Sequence, residues 1–364
     1  MDFILKFLNM SQTNIIFNRI IDKSIKSGAS YVHLEVGSKP VIRSGGRLER
    51  LEEEQIVNVD FLNDLAQTIL SPEERNVLDK DKSLVVVKNF ESNRRFRVDI
   101  FYQKKTLAFA FKYIQPVIKD IKKFGLSDEF IKLFQRREGL IIISGQHGSG
   151  KTAITASILE FINKSQSKYI LTLEKPIEYI LNPQKSIIEQ REIGRDAHTF
   201  AEAIKFAQYG DADVVALSEI DSFASLARLF ELIESGRLVV VIVEADSVPE
   251  AVEQLINLSP QTELEKSRQV LSDLLLGVIV EHFLPRRGGG QIGIAEILIT
   301  IPPVSSLIKE GKYQQLNTVM QTSRDDGMCT KDQYLIELVR TGEVAYEDAL
   351  LAATDKLSFR VAAK

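Results

Sequence analysis

The chain has 364 residues, a length that fits two domains better than one. Apolar residues make up 44% and charged residues 26%, as in ordinary soluble globular proteins, and a net charge of -4 excludes a general polyanion binder while leaving room for a local basic patch. A single cysteine, Cys329, excludes an intrachain disulfide and a cysteine metal cluster and agrees with a reducing cytoplasm; His33, His147, His198 and His282 have no metal-ligand spacing.

The opening MDFILKFLNM carries an acid at position 2 and lacks a long apolar core, so it reads as a poor signal peptide. Phe3, Ile4, Phe7 and Leu8 form a short apolar helix face, expected to pack on protein rather than enter lipid. No apolar run approaches the ~18 residues that span a bilayer. Tyr31 to Val36 alternates as a strand, and Gly45-Gly46 signals a hairpin turn. Residues 61–70 and 72–78 look helical, and strands are expected at 83–88, 95–103 and 107–113. Together they predict an antiparallel sheet with helices on one side. Residues 116–128, polar and mixed, read as a linker, and Ser127 caps a helix running to about Arg137.

From Gly139 onward short apolar runs at 140–144, 169–173, 213–217 and 238–243 alternate with helical stretches at 151–165, 199–208, 222–234 and 248–256. That alternation predicts a mostly parallel sheet covered on both faces. The last part, 265–354, reads as several helices with a strand near 292–298.

Residues Gly145, Gln146, His147, Gly148, Ser149, Gly150, Lys151 and Thr152 spell a phosphate-binding loop between a buried strand and a helix. The glycines let backbone N–H groups turn inward around phosphate oxygens. Lys151 brings positive charge to the β and γ phosphates, and the Thr152 hydroxyl suits Mg2+. Ile154, Ile158, Phe161 and Ile162 give the following helix an apolar face, and its positive end points at the anion. ATP and Mg2+ are therefore the expected ligands.

Around this loop, from about Gly28 to Leu350, the chain resembles the PilT-like pilus retraction ATPases of the type II/type IV secretion ATPase superfamily. The resemblance rests on consecutive motifs in order: residues 28–48, RRFRVDIFYQ at 94–103, GLIIISGQHGSGKT at 139–152, ILTLEKPIEY at 170–179, EQREIGRD at 189–196, ADVVALSEI at 212–220, and the segments 294–312 and 320–344. It implies an α/β chain: an N-terminal PAS-like α+β domain over 1–115 with a short helical extension, a linker over 116–128, and a RecA-like P-loop ATPase domain over 129–364 with a C-terminal helical region. It further implies a homo-hexameric ring, or a mixed ring with a paralogue, in the cytoplasm or peripheral at the inner membrane against a pilus platform protein. By position, Glu178 matches the glutamate that orients attacking water, and Glu219 matches the Walker B glutamate that supports Mg2+ together with Thr152. Arg95 and Arg97 match N-terminal-domain arginines that reach the nucleotide, and Arg191 and Arg195 match arginines that follow the acidic segment 170–179; guanidinium suits charge developing on a transferred phosphoryl group.

Several positions depart from the family pattern. Lys175 stands where an acid is usual. Tyr209, Ala212, Ser218, Asp221 and Ser222 replace an arginine, a proline, a glycine, an arginine and an aspartate. Arg237 and Glu244 replace the two histidines of the His box. Lys175 and Asp221 carry opposite-sign exchanges, which are either a charge-swapped pair or two unrelated drifts. Three functions compete: a retraction motor, a nucleotide-binding accessory subunit with little turnover, and a nucleic-acid motor. The acidic balance and the pilus-type N-terminal segment argue against nucleic acid.

Overall fold

The structure, a computed structural model, describes residues 2–90 and 94–363, without the side chains of 2–11. The expected apolar face of Phe3, Ile4, Phe7 and Leu8 therefore lies outside the described residues. Two compact units divide the chain: Met1–Val117 with Gly288–Gln291, and Ile118–Arg287 with Ile292–Lys364.

The first unit opens with α1 (Asp2–Lys26), followed by β1 (Ala29–Glu35), β2 (Val41–Ser44), β3 (Arg47–Arg50), α2 (Val59–Ile69), α3 (Pro72–Asp81), β4 (Ser83–Phe90), β5 (Arg94–Gln103) and β6 (Thr106–Ile114). Its antiparallel sheet has the order β3-β2-β1-β6-β5-β4. Gly45 and Gly46, with φ of 55° and 82°, make the β2–β3 turn, where both central residues need positive φ. Ser71 and Glu74 close a capping box at the start of α3, satisfying two otherwise orphaned backbone donors. Alternation puts Phe96, Val98 and Ile100 of β5 into one core with Phe109 and Phe111 of β6. Phe17, Ile20 and Ile21 of α1 fill the same core. The later turns of α1 are thus built into the unit.

In the second unit Ile121, Phe124 and Leu126, within the stretch expected to link, are buried in its core. Ser127 caps α4 (Asp128–Lys132), accepting from Phe130 N, and a 3-10 turn then runs to Gln135. There follow β7 (Gly139–Gly145), α5 (Lys151–Ser165), β8 (Tyr169–Glu174), β9 (Ile187–Glu192), α6 (Phe200–Tyr209), β10 (Val214–Leu217), α7 (Phe223–Glu234), β11 (Leu238–Ile242), α8 (Val248–Asn257), α9 (Leu264–Leu274), β12 (Leu275–Pro285) and β13 (Gln291–Ile299). Helices at Pro302–Lys309, Leu316–Thr322, Lys331–Arg340, Tyr346–Ala352 and Lys356–Ala362 complete the chain.

The sheet runs β13-β12-β7-β11-β10-β8-β9, with parallel pairing from β12 through to β9. Successive residues of β7 feed opposite cores. Leu140 and Ile142 pack with α6, α7 and α8, while Ile141 and Ile143 pack with Ile154, Ile158 and Ile162 of α5. Burial on both faces is why these strands read as continuous apolar runs. Each such Leu or Ile contributes about 1.5–3 kcal/mol by leaving water, enough to fix β7 as a rigid platform.

Two strands differ from expectation. Residues 275–285, read as part of a helical stretch, form β12 beside β7, and residues 187–192 form the edge strand β9. Among the described residues no helix is long and apolar enough to cross a membrane.

Candidate nucleotide site

All the parallel strands end on one edge of the sheet, so the segments after β7, β8, β10 and β11 gather there. Ligands of open α/β sheets bind outside this carboxyl edge. The loop 145–152 leaves β7 at this edge. Gly145 has φ of 141°, and a Cβ there would lie 2.4 Å from the backbone oxygen of Glu281 on β12, so glycine is required by close approach as well as by conformation. Gly148 (φ 82°) has open space around it, and Gly150 (φ 92°) caps α5.

Gln146, His147 and Gly148 are exposed, Ser149 is buried, and Thr152 is half-buried at the first turn of α5. The first backbone N–H groups of α5 have no partner within the helix and point out over the loop. The buried hydroxyls of Ser149 and Thr155 also lack hydrogen-bond partners. A glycine cradle, a helix N-terminus and orphaned hydroxyls fit a phosphate chain.

Lys151 is only 8% exposed. Its Nζ donates to the carbonyl oxygens of Gly145 and Gln146 at 2.8 and 2.9 Å, and to Glu244 Oε1 at 3.2 Å. Glu244 follows β11. Two residues on, Asp246 Oδ2 accepts from Gln146 Nε2 at 2.8 Å.

The segment after β8 places Glu178 as a buried side chain, 4% exposed. Close by, Glu174 accepts from Thr172 Oγ1 at 2.6 Å and Gln190 Nε2 at 3.0 Å. Burial raises the Glu174 pKa against these bonds, and the neighbouring carboxylates of Glu178 and Glu192 add to the rise. Thr152, Glu174, Tyr179, Gln190 and Ser218 line one cavity beneath the loop, between α5 and the ends of β8 and β10. Motif matching did not single out Glu174, Gln190 or Asp246; their proximity to the loop depends on strand order, which no local pattern carries.

Glu219 follows β10 and is half-buried. Lys175 Nζ lies 3.9 Å from its Oε1. Of the two readings of the Lys175 and Asp221 exchanges, a charge-swapped pair is not seen among the described contacts. Asp221 instead accepts from the hydroxyls of Ser222 at 3.0 Å and Ser225 at 2.7 Å at the start of α7, where a carboxylate suits the helix dipole. A hydroxyl at Thr152 and a carboxylate at Glu219 are oxygen donors of the kind Mg2+ takes through water alongside phosphate, so the donor set fits that ion.

The four candidate arginines fall two in each unit. On β5, Arg97 Nε is 3.1 Å from Asp99 Oδ1, and Arg95 Nη1 donates to Asn89 Oδ1 at 3.0 Å. Both alternate with the buried residues of that strand. Arg191, on β9, donates from Nη2 to the Asp196 carbonyl at 2.7 Å and stacks over Phe206 at 4.7 Å. Arg195 Nη1 is 3.6 Å from Glu192 Oε1. Arg191 and Arg195 share a surface recess with His198 and Glu202. This recess is lined by none of the residues of the cavity beneath the loop. Arg237, in place of a family histidine, donates to the carbonyls of Ser235, Gln208 and Gly210 at the opposite, amino edge of β11.

Fold and loop together define a P-loop protein of mixed α/β architecture. Residues 9–287 match the model of the type II/IV secretion system protein family, and the chain belongs to that family. Within it, the chain is similar to the type IV pilus retractation ATPase PilT of Pseudomonas aeruginosa, at 30% identity over 90% of this chain and 94% of that protein. It is 29% identical to a twitching motility protein of Neisseria gonorrhoeae over 88% of this chain and 86% of that one. A crystal structure of the pilus retraction motor PilT with bound ADP superposes with a TM-score of 0.79 at 32% identity, covering 93% of this chain and 97% of that one. This chain is therefore a PilT-like member of the secretion ATPase superfamily.

Proposed function

We propose that the chain is a pilus-motor ATPase subunit that binds ATP and Mg2+ through residues 145–152 and hydrolyses the nucleotide within a six-membered ring. The observation that carries this reading is the glycine cradle between rigid β7 and α5, with Glu178 and Glu219 on segments leaving the same sheet edge. Glu178 orients the attacking water, and Glu219 with Thr152 supports the metal. When bound, Mg2+ neutralises phosphate charge. Lys151 binds the phosphates, and the buried setting of Glu178 and Glu174 limits competing water.

Arg191 and Arg195, in a recess apart from the cavity beneath their own loop, are suited to the nucleotide of a neighbouring subunit. Arg95 and Arg97 are assigned the same kind of contact from the N-terminal unit. That unit is read as PAS-like, over 1–115, and the second as RecA-like, over 129–364. The working place is the cytoplasmic face of the inner membrane, against a pilus platform protein and without nucleic acid. The similar motor PilT holds bound ADP in its crystal structure, which agrees with a nucleotide ligand here.

Steady-state ATPase measurement tests the reading. Wild type should turn over ATP, and Glu178→Gln, which keeps the shape and removes the charge, should lower turnover by roughly a hundredfold or more while nucleotide still binds. The ion pairs Lys151–Glu244 and Lys175–Glu219 favour one rival, an accessory subunit of a mixed ring. Nucleotide binding with no turnover in the wild-type ring would establish that rival instead.

A further inference from the structure

The segment after β11 is pinned against the phosphate-binding loop from both sides of one residue. Ala245 N donates to Ser144 Oγ at 3.0 Å, and Ser144 Oγ donates to the Ala245 carbonyl at 3.1 Å, tying the segment to the end of β7. The flanking acids both reach the loop: Glu244 to Lys151, and Asp246 to Gln146. The Lys151 side chain is 9% exposed and that of Glu244 is 67% exposed. A buried ammonium is thus met on its solvent side by a carboxylate, with the two loop carbonyls on its inner side. The two loop carbonyls and this carboxylate all accept from the ammonium.

This is how an anion would sit on Lys151. A loop lysine of this kind serves the β and γ phosphates. The β phosphate is also held by the loop's backbone N–H groups and the α5 terminus, so it keeps partners if Lys151 is already engaged. The terminal phosphate has fewer alternatives and brings further negative charge up to the Glu244 carboxylate. Like charges a few ångströms apart repel, here screened by solvent on the exposed side of Glu244.

We propose that Glu244 stands in for the terminal phosphate on Lys151 and makes the site select nucleoside diphosphate over nucleoside triphosphate. The inference rests on reading residues 145–152 as the nucleotide site. It assigns Glu244 a role in specificity, acting on the ligand through Lys151 and through its own charge. Triphosphate binds by displacing the carboxylate, whereas diphosphate coexists with it.

Calorimetric titration of the full-length chain with Mg·ADP and with the Mg complex of the non-hydrolysable β,γ-imido analogue of ATP tests this, at fixed ionic strength. Wild type should prefer the diphosphate by roughly tenfold or more. Glu244→Gln removes the charge at nearly constant shape, and should tighten the triphosphate until the two affinities agree within about threefold. Asp246→Asn removes a neighbouring charge that does not touch Lys151, and should leave the wild-type preference in place. An identical preference in wild type and Glu244→Gln overturns the inference and leaves the nucleotide site standing. Equal relief by Asp246→Asn also overturns it, because general acidity of the segment would then be the cause. Failure of both ligands to bind any variant overturns the nucleotide site itself, and the inference with it.

Discussion

Lys175 lies against Glu219, the residue proposed to support the metal. Its ammonium sits 3.9 Å from Glu219, and its backbone N–H donates to Ser218 Oγ at 3.0 Å, so both its charge and its chain position are referred to the segment after β10. Asp221 lies two residues beyond Glu219 but accepts two serine hydroxyls at its Oδ1. A double-mutant cycle in thermal stability should therefore give a coupling of about 0.5 kcal/mol for Lys175 with Glu219, the usual size for an exposed pair, and close to zero for Lys175 with Asp221. A larger coupling to Asp221 would restore the charge-swapped pair that the sequence alone allows. The two arrangements cannot be told apart without coordinates, since one carboxylate two residues from another is equally near in sequence. The same limit applies to Lys151 and Glu244, which are 93 positions apart. The phosphate-binding loop was legible because all its parts are contiguous, with strand and helix periodicity on either flank.

Elements were legible where composition and punctuation agreed. β7 is bounded by Gly139 and the glycines of the loop, and α3 by Ser71, Pro72 and Glu74. β12 was hidden because α9 passes into it directly, at Leu274–Leu275, with no turn residue between them. A continuous apolar run in that setting reads as buried helix or buried strand alike. β9, a polar edge strand reading IIEQRE, lacks the apolar run that marked its neighbours.

β13 carries a consequence for stability. Glu296, almost wholly buried on this strand, accepts from Val248 N at the start of α8 at 3.3 Å, and burial pushes its pKa from 4.5 up to about 7. Lys331 opposes the rise and Asp332 adds to it. The folded chain keeps a proton that the unfolded chain releases from pH 4.5 upward, so this group's contribution to stability falls as pH rises from about 4.5 to about 7. The full loss is about 3 kcal/mol. His282, which burial pushes from 6.5 down to about 4, gives the opposite slope between those values, so the informative quantity is a difference between variants. Glu296→Gln keeps an acceptor for Val248 and removes the proton. Its melting temperature relative to wild type should rise between pH 5 and pH 8. A difference that stays flat over this range would mean that Glu296 is not held protonated in the folded chain.

At the scale of the whole molecule, the chain pairs an antiparallel α+β unit with a parallel P-loop unit, and the family match extends across both. The ring reading assigns Arg191 and Arg195 to a neighbour's nucleotide, so assembly and catalysis should be linked. Sedimentation in the presence of the imido analogue should show a species of about six chains, and Arg191→Ala with Arg195→Ala should lower turnover without lowering affinity for nucleotide. A chain that remains monomeric under every nucleotide condition would remove the ring from the account. The most direct test of the central claim is a titration of wild type and Lys151→Ala with the Mg complex of the β,γ-imido analogue of ATP, the ligand that engages Lys151. The account predicts one saturable site per chain in wild type and an affinity lower by roughly tenfold or more in Lys151→Ala, from loss of a charge-assisted phosphate contact. Equal affinity in the two proteins, or no binding to wild type, would contradict it.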